Sequence, residues 1–201
     1  MQDNPRLGIM LMIATTVVFA AQDGLSRYLA ESCNVITVVT IRYIFFMCFV
    51  LAFSAKQQGG IRAIASTDQL LLQIGRGLVL VAQICVAIFS FTTVGLVHFH
   101  AVFASYPLMI MALSVPILGE AVGWRRWIAV LIGFSGVLLI LRPGSAMFSS
   151  ASIMPVLAAF MMATYGLMTR FAARDDSAQT SFCWTAIAGG VAMMCIGPFF
   201  W

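Results

Sequence analysis

The sequence predicts an all-α fold, a polytopic helical membrane protein, and three observations carry that prediction. Only 9% of the 201 residues are charged and 62% are hydrophobic, against ~25% charged in a soluble domain. So few polar groups cannot cover a water-facing surface, so lipid is the solvent that the composition implies. Apolar runs of about 20 residues, the length that crosses the hydrocarbon core, follow one another with short connections between them. Those connections hold most of the Lys and Arg, which is how membrane-protein loops look; the net charge of +4 is therefore not read as a nucleic-acid surface.

The spans are expected at about 7–30, 36–55, 70–93, 99–118, 124–142, 152–171 and 179–200. The first, "NPRLGIMLMIATTVVFA", has the outline of a signal peptide, but its helical pattern continues through "AQDGLSRYLA", which favours a retained crossing. The second carries Arg42 about six residues in. No Asp, Glu, Lys or Arg occurs from Gly77 to Gly119, too long for one crossing; "TTVGLVHFH" supplies the break, with Gly95, His98 and His100 at an interface. The fourth span has Pro107 near its middle, expected to kink the helix and free the Phe103 carbonyl, and Pro116 near its end.

In the fifth span the charges sit only at the ends. Trp124 and Trp127 suit the headgroup level beside Arg125 and Arg126, while Arg142 closes the other end before Pro143 and Gly144 turn the chain. Ala129, Gly133 and Gly136, spaced i, i+4, i+7, form a flat stripe on which another helix can pack. Cys33, Cys48, Cys85, Cys183 and Cys195 show no metal or disulfide spacing.

Orientation follows from the loop cations. With the N-terminus in the cytoplasm, Arg6, Lys56, Arg62, Arg125, Arg126, Arg170 and Arg174 fall inside and only Arg27 and Arg142 outside. "GLSRYLA" (24–30) and "GLMTRFAA" (166–173) match weakly with a one-residue shift. Five spans separate their starts, an odd number, so the sixth helix runs opposite to the first, as in an inverted-topology repeat.

Ionisable and polar groups inside spans are the functional candidates. Asp23 and Arg42 lie at matched depth from the same side and could form a gating or coupling pair, with Arg27 as a competing partner one turn from Asp23. Gln73, Arg76, Gln83 and Ser90 share one face of the third helix, where Arg76 is expected either to serve as a gating or coupling charge or to snorkel toward the cytoplasm. A substrate cavity is expected from Gln83, Ser105, Tyr106, Pro107 and Tyr165, because broken helices at the midplane build such sites. His98 and His100, at i, i+2, point apart on a helix and do not form a metal pair. Nucleophile motifs, phosphate loops and zinc helices are lacking, so the reading is neither an enzyme nor a metal or cofactor protein.

The run "LGE…WRRW…G..GV.L…RPG", Leu118 to Gly144, with "IRY" at 41–43 and "GRGLVL" at 75–80, resembles the EamA type of the drug/metabolite transporter superfamily. The resemblance covers essentially the whole chain. It implies ten helices in two inverted halves, both termini cytoplasmic, and movement of a small metabolite or drug-like molecule across the bacterial inner membrane. On that reading residues 1–144 form the first five-helix repeat, and 145–201 begin an inverted second repeat that is incomplete at Trp201. It marks Glu120 as a signature position, which with Arg125, Arg126 and Arg142 sets topology. The expected partners are the bilayer, a small-molecule substrate and, compatibly, a second copy in a homodimer. A partner-dependent, non-transporting subunit is the alternative. A seven-helix receptor fits less well, since its N-terminus would be outside, and the last span has no Lys to hold retinal.

Overall fold

The structure is a computed structural model that describes residues 5–55, 60–119, 123–141 and 153–200. Every regular element in it is helical. In chain order these are α1 (Pro5–Ser32), α2 (Val35–Ala55), α3 (Gly60–Ala65), α4 (Leu70–Thr93), α5 (Leu96–Phe103), α6 (Tyr106–Leu118), α7 (Trp124–Leu141), α8 (Ile153–Ala172) and α9 (Ala178–Ile196), followed by a 3₁₀ turn at Gly197–Phe199.

Among the described residues, six stretches are long and apolar enough to cross a membrane: Gly8–Ser32, Val35–Ala55, Leu70–Thr93, Leu96–Leu118, Ile153–Ala172 and Ala178–Phe199. The protein is therefore multi-pass. α7, expected as a seventh crossing, has 18 residues and so measures about 27 Å at 1.5 Å per residue, with two arginines in its first turn. Large apolar side chains lie open along α1, such as Met10, Met12 and Val17, as lipid-facing residues do. Several hydroxyls inside the spans are satisfied by their own helix: Thr15 donates to the Leu11 carbonyl at 2.8 Å and Thr164 to that of Phe160 at 3.0 Å, which suits a medium with no water.

α4 is the central helix, packed on α8 and α9 and touched by α1, α2 and α5, while α2 lies along α9 and α6 along α8. Its predicted polar face is turned inward: Gln73, Arg76, Gln83 and Ser90 are all buried. The approach to α9 depends on small residues. A Cβ at Gly77 would stand 2.8 Å from that of Ala188, and one at Gly190 would stand 3.0 Å from the sulfur of Met47.

The fourth crossing departs from expectation. Pro107 does not kink a continuous helix; it sits in the first turn of α6, where its missing N–H costs nothing. The break falls before it, at Ala104 and Ser105, and the Leu108 amide donates back to the Ser105 carbonyl at 2.9 Å. A proline inside a continuous helix would clash with the carbonyl four residues earlier, and ending α5 at Phe103 removes that clash. Gly95 opens α5 at φ 83°, a left-handed value that favours glycine. The short α3, not foreseen, is tied to α9 by the Trp184 indole, which donates to the Ala65 carbonyl at 3.0 Å.

Of the predicted packing stripe, Gly133 is in place, since a Cβ there would overlap the Leu108 side chain of α6. Gly136 has no atom within 4 Å of its virtual Cβ, and Ala129 is exposed. Among the described residues, the middle of that stripe is the part seen in close contact with a neighbouring helix. Glu120 and Arg142 lie outside the described residues.

Candidate functional site

A cavity of about 680 Å³ opens between α2, α4, α8 and α9, within the ~300–1,000 Å³ of small-molecule sites. Its aromatic wall is Tyr43 and Phe46 from α2, Tyr165 from α8 and Phe182 from α9. The Phe46 and Phe182 rings meet edge to face, centroids 5.0 Å apart. Its polar wall brings Gln22, Arg42, Arg76, Thr169, Asp176, Ser181 and Thr185 together from five segments of chain.

Arg76 is held at the heart of that wall. It is 2% exposed, so it does not snorkel. Its guanidinium donates to the Ser181 carbonyl and, at 2.8 Å, to Thr185 Oγ1, with Thr169 Oγ1 at 3.4 Å. The Tyr165 ring centroid is 5.4 Å from its Cζ, a cation–π distance. Among the described residues no carboxylate lies within ion-pair reach, and Arg76 Nε has no hydrogen-bond partner.

Beside it a polar latch ties the start of α4 to the turn between α8 and α9. Asp176 accepts from Thr67 Oγ1 and Gln73 Nε2, each at 2.7 Å; Gln69 donates to Asp175, and Gln73 also reaches Ser181 Oγ at 3.2 Å. Ser177 caps α9 by accepting from the Thr180 amide at 3.1 Å. This end of the bundle is tied by side chains from two segments distant in sequence, 67–73 and 175–181.

The predicted site residues separate into groups. Tyr165, Arg42 and Arg76 line the main cavity. Tyr106 and Pro107 line a second one, about 420 Å³, with Ile110, Met111, Ser114, Arg126 and Arg170. Gln83 is buried on α4 but borders neither cavity, and Ser105 is buried at the α5–α6 break, its hydroxyl without a described partner. Arg125 lies 6.0 Å from the Trp124 ring centroid at the start of α7.

The expected Asp23–Arg42 pair is not formed. Asp23 Oδ2 is 3.3 Å from His100 Nε2, and Arg27 pairs with Glu31 at 3.2 Å. Breaking the fourth crossing carries His100 toward α1, while His98, on another face, is left with Nε2 unpartnered among the described residues. Asp176, Thr185, Tyr43 and Phe182 were not foreseen. A sequence signal existed: Ser181, Thr185 and Gly189 repeat every four residues, a small, polar helix face of the kind that packs inside membranes.

The signature of the EamA-like transporter family matches residues 6–142. The chain belongs to that family. As an EamA-like protein it resembles a riboflavin transporter of Vibrio cholerae serotype O1, with 29% identity over 180 residues, covering 88% of this chain and 60% of the relative. It also resembles an S-adenosylmethionine uptake transporter of Rickettsia felis, 25% identical over 194 residues, covering 96% of this chain and 65% of the relative. The chain thus spans between 60% and 65% of the length of these two relatives. No solved structure matches it. The EamA-like family is non-enzymatic, in keeping with the expectation that the chain is not an enzyme.

Proposed function

We propose that the protein is a secondary transporter that moves a small heteroaromatic metabolite across the bacterial inner membrane by alternating access, with the α2–α4–α8–α9 cavity as its substrate site. The observation that carries this reading is the cavity itself, which combines an aromatic wall with buried cationic and hydroxyl groups. Membership in the EamA-like family supports transport, and riboflavin and S-adenosylmethionine, the solutes named for the two relatives, both contain fused heteroaromatic rings.

Residues 1–144 act as the first repeat and 145–201 as the start of an inverted second one. α2 and α4 then come from one repeat and α8 and α9 from the other, so the cavity lies at the repeat interface, where such transporters place their sites. With the N-terminus cytoplasmic, the Gln73–Asp176 latch lies at the cytoplasmic end and Asp23–His100 in the outer half. Transport then alternates by breaking the latch as the outer half closes. Without a phosphate-binding loop, the driving force is a gradient or exchange.

The test is uptake of labelled riboflavin and S-adenosylmethionine by cells expressing the gene, with Tyr165→Ala and Tyr43→Ala beside the wild type. Wild-type uptake of either solute, reduced about tenfold in both variants at equal membrane abundance, is expected. Uptake equal to that of vector-only cells, or flux unaltered in both variants, overturns the assignment.

A further inference from the structure

The charges of the cavity wall define its occupant more closely. Two guanidinium groups, Arg42 and Arg76, border the cavity, against a single carboxylate, Asp176. That carboxylate already accepts from Thr67 and Gln73, so it is committed to the latch. Arg76 donates only to neutral oxygens, its Nε has no hydrogen-bond partner among the described residues, and Asp176 acts on it from beyond ion-pair distance. Arg42, from α2, is half-buried in the same polar wall, and Asp23, which lies within electrostatic range of it, makes its ion-pair contact with His100 instead.

A buried cation without a counter-charge is costly in low dielectric. Loss of one partner of such a pair is more costly still than loss of both, so an anion entering the cavity would recover electrostatic energy that a neutral solute leaves unused. A cation would add to the imbalance. The aromatic wall meanwhile suits a planar ring system, which stacks on or meets edge-on the faces of Tyr and Phe.

We infer that the cavity binds planar heteroaromatic solutes more tightly when they carry an added anionic group, such as a phosphate, which the Arg42 and Arg76 side of the cavity attracts, and more weakly when they carry an added positive charge. The inference rests on the transporter reading of the same cavity. Arg42 is the specificity-determining residue, because Arg76 is already fixed by α8 and α9 whereas Arg42 makes no ion pair among the described residues.

Two solute pairs that differ in charge test this by equilibrium binding to the full chain in lipid nanodiscs. Flavin mononucleotide adds a phosphate to riboflavin, and S-adenosylmethionine differs from S-adenosylhomocysteine by a methyl group and a positive charge on sulfur. The expected result is binding of flavin mononucleotide about tenfold tighter than riboflavin, and of the sulfonium compound weaker than its neutral-sulfur counterpart. Arg42→Gln should bring the flavin ratio close to one, and Arg42→Lys should preserve most of it. Equal binding within both pairs, or tighter binding of the sulfonium compound, overturns the charge selectivity while leaving a heteroaromatic transporter in place. Binding of none of the four overturns this inference together with the heteroaromatic reading. An unchanged flavin ratio in Arg42→Gln overturns the assignment of Arg42.

Discussion

Adding one methyl group at Gly189 should be among the most damaging small changes in the protein. An ideal Cβ there overlaps Tyr43 Cε1 and stands 2.9 Å from Cδ1 and Cζ. Tyr43 is 2% exposed, and its ring meets that of Phe46 edge to face at a centroid distance of 6.1 Å. The ring therefore has little room to yield except into the cavity. Overpacking of this kind costs ~1–3 kcal/mol, and the gain in helix propensity from Gly to Ala returns at most ~1 kcal/mol. Gly189→Ala should accordingly lose about 1–2 kcal/mol and, by displacing Tyr43, weaken solute binding as well.

The assay is reversible unfolding in mixed detergent micelles, with solute affinity measured on the same samples. Gly24→Ala is the control, since no atom lies within 4 Å of its virtual Cβ; it should be neutral or gain up to ~1 kcal/mol. Pairing Gly189→Ala with Tyr43→Ala removes the collision, so the double mutant should show a favourable coupling of ~1–2 kcal/mol, inside the range for residues in contact. If Gly189→Ala is as benign as Gly24→Ala, or strictly additive with Tyr43→Ala, the α2–α9 contact is not the tight one described.

Three other outcomes are expected. Asp176→Ala removes the acceptor of two 2.7 Å bonds from Thr67 and Gln73; with charge-assisted bonds contributing ~1.5–3 kcal/mol each and Gln73 keeping Ser181, a loss of roughly 2 kcal/mol and faster maleimide labelling of a cysteine placed at Ala178 should follow, and wild-type labelling would mean that the latch does not close this end. Asp23→Asn and His100→Gln each dissolve the 3.3 Å pair; both variants should change flux in the same direction and to a similar extent at equal membrane abundance, whereas wild-type flux in both would make the pair purely structural. Gln83→Leu should leave flux within about twofold, since replacing a buried amide by an apolar group of similar size is close to neutral and Gln83 borders neither cavity; a tenfold loss of flux would restore it to the substrate path.

What the sequence made legible was whatever depends on one helix at a time. α4 runs from Leu70 to Thr93, as its apolar run and the Gly95 break suggest. The seven-residue spacing of Arg76, Gln83 and Ser90 correctly marks its inward face, because periodicity reports which side of a helix avoids lipid. Periodicity does not say which neighbour meets that side. Gln83 and Arg76 share a face, yet a separation of about two turns along α4 puts Arg76 in the cavity wall and leaves Gln83 out of it. Asp23 similarly has Arg27 and Arg42 within sequence reach, but the His100 contact depends on a helix break at Ala104 and Ser105 that only packing around Pro107 locates.

The α9 stripe shows why cavity and close packing belong together. Ser181 and Thr185 present oxygens to Arg76, and one turn further on Gly189 admits the Tyr43 ring of α2. Small residues thus bring α9 close enough to α4 and α2 to hold the arginine at one level and the aromatic ring at the next. The cavity borders both levels, and the larger Phe182, beside Ser181, meets Phe46 of α2 in its aromatic wall. A bulky residue at position 185 would displace Arg76 from its oxygens, and one at 189 would drive Tyr43 inward, so both would disturb the same solute from opposite ends. Evenly large side chains along α9 would separate the helices and remove the hold on Arg76. Evenly small ones would let α9 settle against α2 and α4 and leave no space for a solute. The alternation itself makes a cavity out of a helix interface.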